Sequence, residues 1–150
     1  MNEIHSELLW IGNAFDVRQP RSVFDAGIAA VIDLACEEPP AQVPRQLTYC
    51  RFPLNDGGGN DPVLLFQTLL TATNFIRAEI RTLIACSAGL SRSPTVAAFA
   101  LAHHLDEDPD SVLSRIADIK ALELNPDLWA DMHVAFSKLP QKENREDRTH

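Results

Sequence analysis

Apolar and polar positions divide the chain into strands early and helices late. Leu8-Leu9-Trp10-Ile11 is a short apolar run closed by Gly12-Asn13, which predicts a strand and a turn. Pro20 to Ala26 predicts one or two helical turns, stopped by Gly27. Ile28 to Ala35 is apolar nearly throughout, with β-branched Val31-Ile32 at its centre, and predicts a buried strand broken by Glu37-Glu38-Pro39-Pro40. Leu47-Thr48-Tyr49-Cys50-Arg51-Phe52 alternates and predicts a third strand. Pro53 to Asn60 has no apolar period, and its three consecutive glycines predict a mobile loop. Asp61-Pro62 reads as a helix cap followed by proline at the first helical position, and Leu65, Leu69, Ala72, Ile76 and Ile80 give that helix a buried stripe. Thr82 to Ala85 predicts a fourth strand. An apolar helical face follows Pro94 through Val96, Ala97, Ala100, Leu101 and Leu105. Asp108-Pro109 and Asn125-Pro126 repeat the cap-and-proline signal and predict helices to about Ala121 and about Leu139, the second carrying Trp129, Met132 and Phe136 as a core stripe. Strands then helices, without regular alternation, predict an α/β (α+β) domain: a small mixed central sheet of about four or five strands flanked by about five or six helices. The domain is expected over residues 1–139, and the charged stretch 140–150 is expected to be frayed or disordered.

Composition narrows the classes of function. With 150 residues and 45% apolar content, one domain with a real core is expected. The net charge of −8 makes nucleic acid and anionic membrane poor partners. The start, Met1-Asn2-Glu3-Ile4-His5, has no basic n-region or apolar signal core, and three cysteines without a Cys-x-x-Cys pair argue against a disulfide framework. A reducing cytoplasm is the expected compartment. His5, His103, His104, His133 and His150 show no metal-ligand spacing, so no metal or other cofactor is expected. Cys36 and Cys50 read as small packing residues.

The candidate chemistry lies at Cys86-Ser87-Ala88-Gly89-Leu90-Ser91-Arg92-Ser93, between the strand ending at Ala85 and the helix beginning near Pro94. A tight loop entering a helix N-terminus points several backbone N–H groups at one spot, and the helix dipole adds positive potential there. A dianionic phosphate fits such a cup. Cys86 lies at its floor, where a positive field activates thiols. Arg92, six residues on, can hold two phosphate oxygens in a bidentate clamp that lysine cannot form. Gly89 permits the backbone geometry of the cup.

This stretch resembles the Cys-x5-Arg loop of the protein tyrosine phosphatase superfamily, and its form Cys-x-Ala-Gly-x-Ser-Arg-Ser resembles that of the dual-specificity phosphatases. Leu9-Trp10-Ile11-Gly12-Asn13-Ala14, Gly27-Ile28 before Val31-Ile32-Asp33-Leu34, and the loop with Asp56 fall in the same order and spacing, so the resemblance covers roughly residues 3–139. It implies hydrolysis of a phosphomonoester through a cysteinyl-phosphate, without a metal. Cys86 would be the nucleophile; Arg92 and the backbone from Ser87 through Ala88, Gly89, Leu90 and Ser91 would hold the phosphoryl oxygens. Asp56, thirty residues ahead of Cys86, matches the general acid, with Asp61 as its rival and better explained as a helix cap. Ser93 would help the sulfur leave in the second step. Ala85 stands where the family usually has histidine, which predicts slower turnover at acidic pH. The loop carries no Lys or Arg at its variable positions, and the small size implies a shallow pocket. The resemblance therefore implies phosphotyrosine, phosphoserine and phosphothreonine proteins as substrates, with a small phosphoester as the alternative partner. A pseudophosphatase that binds phosphorylated partners without turnover is the competing reading.

Overall fold

The structure, a computed structural model, describes residues 1–142. In chain order it contains β1 (Asn2–His5), β2 (Leu9–Gly12), α1 (Ala14–Val17), α2 (Pro20–Asp25), β3 (Ala30–Ala35), β4 (Thr48–Leu54), α3 (Pro62–Arg77), β5 (Thr82–Ala85), α4 (Arg92–Leu105), α5 (Pro109–Ile119) and α6 (Pro126–Ser137). The strands form one mixed sheet in the order β1-β2-β5-β3-β4. Only β1 runs antiparallel to its neighbour; the other pairs are parallel. β5 is therefore central, with Ile84 level with Ile11 on one side and Ile32 on the other. The carboxyl ends of the parallel strands meet along one edge, where open α/β sheets place their ligands, and Cys86 follows β5 at that edge.

Alternation along the central strands feeds two cores. Val31, Leu83 and Ala85 face a smaller cluster with Val17 of α1 and Val23 of α2. Ile32, Leu34, Ile84 and Cys86 face a larger one covered by α3 to α6. α4 is the inner helix of that layer, buried without interruption from Arg92 to Ala102. A helix apolar all round must lie inside. Its small residues Ala97, Ala98, Ala100 and Ala102 let neighbours approach, while Phe99 fills the space against Trp129, with ring centroids 4.5 Å apart.

The expected helices from Pro62, Pro109 and Pro126 are all present, and Asp61, Asp108 and Asn125 each accept a backbone N–H at the cap. Two short elements add to the expectation. β1 is a four-residue edge strand with a single aliphatic residue, too little for a readable alternation. α1 has four residues and is defined by a capping box: Asn13 Oδ1 accepts from the Asp16 amide at 2.9 Å, and Asp16 Oδ2 accepts from the Asn13 amide at 2.8 Å. Of the segment expected to fray, residues 143–150 lie outside the described residues. The Pro140 carbonyl is 2.9 Å from His103 Nε2. No helix among the described residues is long and apolar enough to cross a membrane.

Candidate active site

The loop from Cys86 to Ser91 turns its carbonyls outward. Ser87 O accepts from the Ala14 amide at 3.2 Å, Gly89 O from Lys120 Nζ at 2.8 Å, and Leu90 O from the Glu123 amide at 3.0 Å. The amides of Ser87 to Ser91 find no acceptor among the described residues, which leaves them open to an anion. Gly89 is indispensable to this shape. Its φ is +74°, and a Cβ there would lie 2.9 Å from the Gly12 carbonyl oxygen. Cys86 is 2% exposed at the floor. Its sulfur receives the Ser93 amide at 3.4 Å and lies 3.3 Å from Ser93 Oγ, which in turn is 3.4 Å from the Gly12 carbonyl. Ser93 lies inside α4 rather than capping it; the cap position is Ser91.

Arg92, at the start of α4, is 6% exposed, and its guanidinium reaches Glu37 after β3 and Leu54 at the end of β4. Nη1 donates to Glu37 Oε2 at 2.8 Å and to the Leu54 carbonyl at 2.9 Å, and Nη2 donates to Glu37 Oε1. A guanidinium has five N–H donors. Three are engaged on the end that faces Glu37 and Leu54. The two left, on Nε and Nη2, lie along one edge and form a second fork, the geometry that grips two oxygens of a phosphoryl group. Ser87 Oγ also donates to Glu37 Oε1, with Glu38 Oε1 at 3.5 Å. The Arg92 fork, aided by the Ser87 hydroxyl, holds the Glu37 carboxylate far below the usual carboxylate range against the opposing effect of burial. Glu37 makes the Arg92 guanidinium still harder to deprotonate.

Asp56 sits on the loop after β4, and its carboxylate meets the cup: Oδ1 accepts from Ser91 Oγ at 2.6 Å. Asp61 does not. It caps α3, with Oδ1 accepting from the Val63 amide at 2.9 Å. The glycine-rich loop is cross-braced rather than free. Asn60, buried at 7% exposure, accepts the Asn55 amide at 2.8 Å and donates to the carbonyls of Asn55 and Gly57 at 2.9 and 3.2 Å. Gly59 N–H reaches Asp131 Oδ2 at 3.3 Å.

Nothing in the sequence marks four further residues as part of the site; Asn125 reads there only as a helix cap. Glu37, Lys120 and Asn125 reach it from irregular segments, and the first is 55 residues from its arginine. The fourth, Cys36, is not the packing residue expected. β3 ends at Ala35, so the chain turns there and places Cys36 Sγ 3.2 Å from Glu37 Oε2 and 3.9 Å from Arg92 Nη1. Burial, then the neighbouring carboxylate, push its thiol up.

No protein-family model and no curated protein matches the chain. Solved structures do. Human DUSP28 matches with TM-score 0.79 at 20% identity over 91% of this chain and 96% of that one. DUSP15 matches with TM-score 0.75 at 20% identity over 92% and 88%. The human tyrosine phosphatase-like serine/threonine/tyrosine-interacting protein matches with TM-score 0.76 at 15% identity over 91% and 95%. The chain has the fold of the dual-specificity phosphatases.

Proposed function

We propose that this chain is a dual-specificity phosphatase, a metal-independent, cysteine-dependent phosphomonoester hydrolase. One observation carries the reading: Cys86 begins a loop of amides unengaged among the described residues, with Ser93 against its sulfur and, six residues on, an arginine whose Nε edge has no acceptor among them. In the first step the Cys86 thiolate attacks phosphorus, the bond to the ester oxygen breaks, and Asp56 gives that oxygen a proton. The loop amides and the Nε edge of Arg92 bind the equatorial oxygens, whose charge they neutralise. In the second step water attacks the cysteinyl-phosphate, Asp56 takes the water proton, and the sulfur departs as thiolate stabilised by the Ser93 hydroxyl. Phosphorylated proteins, on tyrosine, serine or threonine, are the proposed substrates, as the resemblance of the Cys86 loop to that of the dual-specificity phosphatases implies.

An aryl phosphate assay tests this. Wild type is expected to turn over, Cys86→Ser and Arg92→Ala to lose activity, and Asp56→Ala to lose about a hundredfold or more, the usual worth of a general acid. Asp61→Ala is expected to keep its rate and lose about 1 kcal/mol of stability, as a lost cap does. An inactive wild type that still binds phosphopeptide is a pseudophosphatase and overturns the proposal.

A further inference from the structure

Ser91 occupies the cap of α4 without making a side-chain cap bond. A serine there ordinarily turns its hydroxyl onto the second or third amide of its helix. Here Oγ lies 2.6 Å from Asp56 Oδ1 and 3.0 Å from the Asn125 amide nitrogen. A hydroxyl has one proton and two lone pairs. The Asn125 N–H fills a lone pair, so the single proton points at Asp56 Oδ1. Asn125 is held in place by its own side chain. Its Oδ1 accepts the amides of Asp127 and Leu128 at 3.0 and 3.1 Å, and its Nδ2 donates to the Asp56 carbonyl at 3.3 Å.

We propose that Ser91, oriented by the main chain of Asn125, is a positioning residue that decides which oxygen of Asp56 carries the transferable proton. The inference rests on Asp56 as general acid. A protonated carboxyl has one accepting oxygen and one donating oxygen. With the Ser91 proton on Oδ1, the accepting oxygen is Oδ1 and the acid proton resides on Oδ2. The same arrangement serves the return step: Oδ2 takes the proton of water while Oδ1 keeps its partner. Without Ser91 the two oxygens become equivalent and the carboxyl is free to turn. The segment that orients Ser91 also holds the preceding two loop residues, through Lys120 on Gly89 and Glu123 on Leu90, so acid and cup keep a fixed spacing.

The test compares phenyl phosphate, whose leaving oxygen needs a proton, with 2,4-dinitrophenyl phosphate, whose leaving oxygen does not. Ser91→Ala is expected to lower kcat on phenyl phosphate by about tenfold or more, part of the range an acid contributes. The same variant, which keeps the Ser91 amide in the cup, is expected to lose several-fold less on the dinitrophenyl ester than on phenyl phosphate, since general acid catalysis matters little there. Ser91→Gly, also tolerated at a helix cap, is expected to match it, and Ser91→Thr to restore the rate. In an Asp56→Asn background Ser91→Ala is expected to add no further loss. Equal losses on both esters, or a full loss persisting without the acid, mean that the serine only shapes the cup and overturn the inference. A wild type inactive on both esters overturns the phosphatase reading instead.

Discussion

Glu37 fixes which edge of Arg92 a substrate meets. A guanidinium on a flexible stem loses side-chain entropy when it grips an anion, and a partner that has already fixed it removes that cost. The Glu37 carboxylate does so from the end of the fork and leaves the Nε edge open. Glu37→Gln replaces one accepting oxygen by an N–H group that confronts Arg92 donors, so the fork opens. The expected outcome is a fall of about tenfold in kcat/KM on aryl phosphate, about 1.4 kcal/mol of transition-state binding, read by steady-state kinetics. The pH behaviour follows from the sign of the shift. The folded carboxylate titrates below its unfolded value, so the pair contributes stability in full above about pH 4.3 and loses it as pH falls toward the lower folded value. Between pH 5 and 8, as a consequence, the profiles of wild type and Glu37→Gln are expected to run parallel, offset in height but not in position. Urea midpoints below about pH 4 are expected to drop more for wild type than for Glu37→Gln, which has no carboxylate to protonate there.

At the scale of elements, the cup is held by pieces that local patterns describe unequally. The strand, the loop and the helix around Cys86 were legible because a strand run, a glycine and a proline-marked helix are all local signals. The cap-and-proline pairs at Asp61, Asp108 and Asn125 were legible for the same reason. The β3–β4 connection was not. It reads as a chain break at Glu37-Glu38-Pro39-Pro40, yet distant side chains pin it. Arg51 donates to the carbonyls of Ala35 and Glu38 at 3.2 and 2.7 Å, and Arg18 to that of Pro39 at 2.9 Å. Tyr49 accepts the Ala41 amide at 3.1 Å. Such contacts carry no period in the sequence. The loop itself offers a sharp test at Gly89. An alanine must adopt φ near +74° with its methyl 2.9 Å from the Gly12 carbonyl. The left-handed region alone costs about 1–2 kcal/mol. Gly89→Ala is expected to lower the urea midpoint and to reduce aryl phosphate turnover more than the unfolded fraction explains, because the loop must shift to relieve the contact.

For the whole molecule, hydrophobic runs located four of the five strands but not their order. That β5 inserts between β2 and β3 follows from pairing across the chain, which parallel crossovers leave unspecified locally. The insertion makes β5 central and α4 the inner helix, so the site stands on the most deeply buried part of the fold. Arg92 and Phe99 share α4, seven residues and about 10 Å apart along its axis. The ring of Phe99 contacts Trp129, His133 and Phe136, with centroids 4.5, 4.8 and 5.4 Å away, and so ties α4 to α6. If the core only supports the site, a modest packing change there must lower stability without touching chemistry. Phe99→Leu keeps an apolar side chain and gives up aromatic contacts worth about 0.5–1.5 kcal/mol a pair. The expected loss is about 1–2 kcal/mol by urea denaturation, with kcat per folded molecule unchanged. A fall in kcat with an unaltered midpoint would instead place Phe99 in a mechanical link between α6 and Arg92, since the rigid helix joining them leaves no other route for the effect.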